Sequence, residues 1–202
     1  SNEQSVRECL GGFPKIGGAI TSPPYATALP YIDTQRLSLI WLGLCQPIQI
    51  KHLEEDLIGS REYNANHKTV WNERMTRNLD EVPQEVYSFC VYLQEKLGPE
   101  DGFRRKALPS LLYRYFARMR YSFLVLNKYF KKDAPYALIV GSSHTVLNGQ
   151  KIAIDTPNML KILSENVGWR CEDFLELDTY KRFDLHQKNS IKTEKLIVLR
   201  RK

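Results

Sequence analysis

No stretch of this 202-residue chain approaches the ~18 to 20 consecutive apolar residues of a membrane-spanning helix. No secretory signal pattern is visible either, so membrane partners are not expected and the expected location is cytoplasmic. Cysteine is sparse: Cys9, Cys45, Cys90 and Cys171 are scattered, with no C-x-x-C pair. That spacing argues against a disulfide framework or a zinc site and suits free thiols in a reducing compartment. His52, His67, His144 and His186 lack metal-ligand spacing, so no metal is expected. Internal repeats and low-complexity tracts are absent, which argues against a solenoid. The charge excess is mild: 29 Lys+Arg against 23 Asp+Glu gives +6, compatible with a polyanionic partner without establishing one.

What is present fits one α/β domain over residues 1–202, with 43% hydrophobic residues, an ordinary globular fraction. A lead-in over residues 1–16 carries Gly11-Gly12 and Pro14, and a first strand is expected at about 17–22. A helical pattern follows from Tyr31 to Leu44, with Leu37, Ile40, Trp41 and Leu44 at core spacing. Residues 46–107 read as a charged, mostly helical insertion. Its clearest helix begins at Pro83 and runs to Leu97, where Gly98-Pro99 stops it. Val86, Phe89, Cys90, Leu93 and Leu97 form the expected buried stripe of that helix.

A long helix is expected from Pro109 to Lys132. At ~100° per residue, Leu112, Phe116, Met119, Phe123, Leu126 and Phe130 share one face. Arg114, Arg118, Tyr121, Lys128 and Lys132 fall opposite, a basic face read as solvated surface and weighed against a nucleic-acid contact, with Arg120 at the edge of the stripe. The apolar run from Tyr136 to Val140 then reads as a central strand. Gly141-Ser142-Ser143-His144 follow at its carboxyl end, where open α/β sheets place ligands. His144 is a candidate to face such a site, weighed against an ordinary hydrogen-bonded histidine. Thr156-Pro157 supplies an N-cap and first-turn proline for a helix reaching Val167, ended by Gly168. Strands near 170–177 and 194–199, joined by a polar loop, complete the pattern.

The most informative segment is Thr21-Ser22-Pro23-Pro24-Tyr25, directly after Gly18-Ala19-Ile20. Neither proline has a backbone N–H, so the pair cannot continue a sheet ladder. Both fix φ and leave their carbonyls as pure acceptors, a stiff rim at a strand end. A hydroxyl on one side and an aromatic ring on the other suit a flat base bearing an exocyclic amine. That amine is a poor nucleophile because its lone pair is delocalised into the ring. Acceptors that hold its hydrogens draw the nitrogen toward tetrahedral geometry and favour attack on a methyl donor.

These five residues resemble the catalytic motif of amino-methylating DNA methyltransferases, in the form usual for N4-cytosine enzymes. Residues 108–200 also resemble the second half of that family's sheet: a strand ending Ile139-Val140-Gly141, a Thr-Pro helix, a Gly-Trp hinge and the closing Asn189-Ser190-Ile191-Lys192-Thr193-Glu194. The resemblance implies part of a Rossmann-like methyltransferase sheet with flanking helices. It makes Ser22 and the Pro23 carbonyl the acceptors for the amine, Pro24 the shaper of the turn and Tyr25 the stacking ring. DNA is the implied partner and S-adenosyl-L-methionine the implied cofactor, with Thr21 a candidate cofactor contact. Arg104, Arg105 and Lys106 are candidate phosphate contacts in the insertion, weighed against a solvated loop.

The family holds its cofactor on a glycine-rich loop after the first strand, with an acidic residue after the second. No G-x-G run with a preceding apolar strand occurs here; Gly11-Gly12 and Gly17-Gly18 are candidates by composition only. The expectation is that a second subunit or a further amino-terminal segment carries that loop. An N6-adenine or RNA methyltransferase, or a non-catalytic nucleic-acid-binding specificity subunit, remain open alternatives.

Overall fold

The computed structural model describes residues 15–26, 31–60, 65–178 and 193–202. Gly11-Gly12 and Asn189 to Lys192 therefore lie outside the described residues. Strands β1 (Ala19–Thr21), β2 (Pro135–Gly141), β5 (Trp169–Asp178) and β6 (Thr193–Arg201) form one sheet in the order β1-β2-β6-β5. A separate hairpin pairs β3 (Ser143–Leu147) with β4 (Gln150–Ile154). The helices are α1 (Tyr31–Trp41), α2 (Ile50–Asp56), α3 (Ala65–Thr76), α4 (Gln84–Glu95), α5 (Phe103–Tyr129) and α6 (Thr156–Asn166), with a 3-10 turn at Pro47–Gln49. This is an α/β protein with a mostly helical segment between β1 and β2.

Strand β1 runs parallel to β2, β6 runs antiparallel to both β2 and β5, and β5 therefore points the same way as β2. The carboxyl ends of β1, β2 and β5 thus share one end of the sheet with the amino end of β6. Strand β2 forms from a run with little polar character, and Tyr136, Leu138 and Val140 alternate into the core. Leu112, Phe116 and Phe123 of α5 are fully buried against that core. Each such side chain contributes roughly 1.5–3 kcal/mol by leaving water. Trp169 opens β5 at 0% exposure, and its indole N–H donates to the Phe123 carbonyl at 3.0 Å. Phe130 and Tyr136 flank its ring at 5.1 and 5.5 Å between centroids. Burial pushes the Tyr136 phenol up to about 12.

Several expectations hold in outline and shift in detail. Helix α4 buries Val86, Cys90 and Leu93 as its stripe predicts, with Phe89 and Leu97 partly buried and Pro83 as the N-cap residue. Burial pushes the Cys90 thiol well above its usual range. Helix α5 begins at Phe103, so Pro109 sits inside the helix and does not start it. A proline there removes one intrahelical hydrogen bond. Pro109 and its neighbour Ala107 are both buried, so packing offsets the loss.

Helix α1 ends at Trp41, where Gly43 turns the chain at φ +67°. The stripe Leu37, Trp41 and Leu44 is 80%, 91% and 69% exposed, not core, and Ile40 is half-buried. Spacing fixes which residues share a face but not what covers it. Ser143 and His144, expected at the carboxyl end of the 136–140 strand, open the β3–β4 hairpin. Asn148-Gly149, at φ +46° and +74°, make its turn, a strong hairpin signal that the apolar neighbours obscured. Asp155, not Thr156, caps α6: its carboxylate accepts from the Asn158 N–H.

Candidate active site at the strand ends

Thr21 is the last residue of β1, half-buried and opposite Leu138 of β2. Ser22 is exposed, Pro23 is buried, and Pro24 and Tyr25 are half-buried. The chain leaves the sheet at this point because a proline N cannot donate to a ladder. The Pro24 carbonyl accepts a 2.8 Å hydrogen bond from the Tyr115 hydroxyl of α5. Among the described residues none donates to the Pro23 carbonyl, and none partners the Ser22 hydroxyl. Two acceptors therefore follow one another at the strand end, one of them on an exposed side chain.

The Tyr25 ring, the stacking ring that the resemblance implies, packs against the edge of the core, and its hydroxyl donates to Glu194. Glu194 stands in β6 directly opposite Gly141, at the carboxyl end of β2. Sequence reasoning placed Glu194 in the closing segment without giving it a role. The two partners are 169 residues apart, so no local signal linked them.

The floor of the loop comes from the segment after α2. Gly59 has φ +85°, and a Cβ there would lie 3.2 Å from the Tyr25 carbonyl oxygen and 3.3 Å from Pro24 Cβ. Arg114, expected on the solvated face of α5, is 2% exposed, and its guanidinium donates to the Ser60 carbonyl. Arg118 donates to the carbonyls of Glu55 and Leu57 at 2.9 and 3.2 Å. Two arginines thus hold the turn that supports the motif. Helical periodicity could not find this, because a long cationic side chain is tolerated inside when carbonyls receive it.

Arg104, Arg105 and Lys106 occupy the start of α5, not a loop. Each has an intramolecular partner: Arg104 lies 5.8 Å from the Phe103 ring centroid, Arg105 is 3.4 Å from Asp101, and Lys106 donates to the Pro99 carbonyl at 3.2 Å. Lys106 precedes Tyr115 by about 14 Å along the helix axis, so the triplet stands apart from the motif. His144 is exposed on β3, opposite Ala153. Asp101 binds the Gly98 and Asn148 N–H groups at 2.8 and 2.9 Å, joining the α4–α5 connection to the hairpin turn. Those donors, Gly98 first, hold its carboxyl below the usual carboxylate range.

The described residues do not by themselves make a cradle for S-adenosyl-L-methionine. Such a cradle needs glycines after a strand, where the backbone approaches the ligand. Gly17 and Gly18 precede β1, and β1 is the outer strand of the described sheet.

No protein-family model matches the chain, and no curated protein matches it. Two crystal structures of a Thermus thermophilus protein proposed to be a DNA modification methylase do align with it. The form complexed with S-adenosyl-L-methionine is 10% identical, with TM-score 0.39, over 96% of this chain and 50% of that one. The selenomethionine derivative is 7% identical, with TM-score 0.36, over 43% of this chain and 36% of that one. This chain spans half or less of the length of each matched chain. Similarity this low leaves the functional reading to the motif and its surroundings.

Proposed function

We propose that this chain carries the base-binding part of an amino-methylating DNA methyltransferase, with N4 of cytosine as the target. The observation that carries the reading is the pair of acceptors at the end of β1, Ser22 Oγ and the Pro23 carbonyl, beside an aromatic ring held from behind. The target base must leave the duplex, because its amine is paired and stacked there. Ser22 and Pro23 then accept the two amine hydrogens and localise the nitrogen lone pair. Tyr25 supplies a stacking face, worth ~1–3 kcal/mol per base. Its hydroxyl bond to Glu194 fixes the ring before the base arrives. Tyr115 fixes the turn through Pro24 and leaves the Pro23 carbonyl to the substrate.

The methyl donor in this reading is S-adenosyl-L-methionine, held largely by a second subunit or a further segment of the same protein, with Thr21 at its margin. Arg104, Arg105 and Lys106 stand as candidate phosphate contacts. A non-catalytic specificity subunit is the second reading, favoured by the incomplete cofactor cradle.

Expression of the full-length gene product in a methylation-free host, followed by nucleoside mass spectrometry of its DNA, tests the assignment. N4-methylcytosine that disappears with Ser22→Ala is the expected result. N6-methyladenine that disappears likewise would move the target to adenine. Unmethylated DNA in the presence of stable, fully assembled protein would overturn the catalytic reading.

A further inference from the structure

The amino end of the sheet, opposite the motif, gathers a set of exposed cations. Lys15 precedes the bridge between Ile16 and Phe130; Lys131 and Lys132 precede β2; Arg170 is the second residue of β5; Lys202 follows β6. All five are exposed, and none has a side-chain partner among the described residues. Lys128, Arg200 and Arg201 flank them. Arg200 is engaged by Glu172 at 2.7 Å, and Arg201 donates to the Phe130 carbonyl.

The cations also form a row. Sheet order β1-β2-β6-β5 sets Lys15 before β1, the Lys131-Lys132 pair before β2, Lys202 after β6 and Arg170 in β5, and backbone hydrogen bonds from Lys131 to Ile16, Asp133 to Arg201 and Lys202 to Gly168 tie these ends together. At ~4.8 Å between strands, three intervals span about 14 Å. Duplex DNA carries one phosphate per ~3.4 Å of axis on each strand, so the row faces about four phosphates. A membrane surface would call for apolar side chains beside the lysines. None of the exposed large hydrophobic side chains among the described residues lies in this row.

We propose that this row binds the phosphate backbone of duplex DNA without regard to sequence. The proposal rests on DNA being the substrate at the motif. The seven residues of β2 separate the two ends by about 23 Å, so the row holds a stretch of duplex other than the one presenting the target base.

The test replaces Lys131, Lys132, Arg170 and Lys202 together by alanine. Binding of an arbitrary labelled duplex is followed by fluorescence anisotropy between ~50 and ~200 mM salt. The expected result is weaker binding to every sequence, with the log–log salt slope reduced in magnitude by up to about 3.6. Ser22→Ala is expected to leave that slope unchanged. Wild-type affinity and slope in the quadruple variant would overturn the row, as would a loss seen only on phosphatidylserine vesicles or only when Arg104, Arg105 and Lys106 are replaced. The two readings fail separately. Methylation abolished by Ser22→Ala with duplex binding indifferent to the quadruple change sinks the row alone. Duplex binding lost in the quadruple variant, with methylation indifferent to Ser22→Ala, sinks the catalytic reading and leaves the row standing.

Discussion

Gly59→Ala should disturb the motif from beneath, and its effect divides into two parts. The first is conformational: φ at +85° suits glycine, and an L side chain there costs roughly 1–2 kcal/mol. The second is steric, because the new Cβ meets the Tyr25 carbonyl oxygen at 3.2 Å and Pro24 Cβ at 3.3 Å. Neither atom is the end of a flexible side chain, so the motif loop or the 57–60 turn must shift by a few tenths of an ångström. Overpacking of this kind adds about 1 kcal/mol or more. The total, about 2–3 kcal/mol, corresponds to a fall of roughly 4–12 °C in Tm for a chain of this size. Gly43→Ala is the control: φ there is +67° with nothing within 4 Å of the new atom, so only the conformational part applies. Urea unfolding of both variants isolates the contact as the difference between them. Losses equal to within ~0.5 kcal/mol would refute the close approach of Gly59 to the motif. If the loop is the part that moves, methyl transfer should drop several-fold more in Gly59→Ala than in Gly43→Ala, on the scale by which 1 Å costs about a hundredfold.

Tyr115→Phe removes the donor to the Pro24 carbonyl; the fold should survive with a loss of about 1 kcal/mol in urea unfolding, and unchanged stability would show that the bond holds nothing. Asp101→Asn should narrow the stability gap to wild type on acidification. The folded carboxyl is held below its ordinary value of about 3.9, so its contribution is present above that range and lost as pH falls. Unfolding midpoints at neutral and acid pH check this, and a gap that widens at acid pH would reverse the sign. Calorimetry of this chain with S-adenosyl-L-methionine should show weak binding or none, whereas micromolar affinity with a defined stoichiometry would mean that the cradle is complete here.

The elements most legible in the sequence are those whose burial follows local periodicity. The run from Tyr136 to Val140 is a strand, Val86, Cys90 and Leu93 are a buried stripe, and Leu112, Phe116 and Phe123 are core. The motif was legible as a strand end because Pro23-Pro24 forbid a ladder wherever they fall. Its support was not. Gly59, Arg114, Tyr115 and Glu194 reach Pro24 and Tyr25, or the turn beneath them, from segments 34 to 169 residues away. Arg114 misled because a cation on a helix reads as solvated unless carbonyls await it. Leu37 and Trp41 misled in the opposite sense: apolar spacing marks a face, while its cover belongs to tertiary structure.

Less than two turns of α5 hold three segments that lie far apart along the chain. Tyr113 accepts from the Asp80 N–H, Arg114 and Arg118 grip the turn over residues 55–60, and Tyr115 holds Pro24. These attachments make the motif loop, the 55–60 turn and the end of the α3–α4 connection a single unit of local opening. Protection from amide hydrogen exchange in such a unit is shared, because no member is released until the helix side chains let go together. Ala26 and Ser60 should therefore exchange at matching rates, and a change that loosens residues 113–118 should raise both in step.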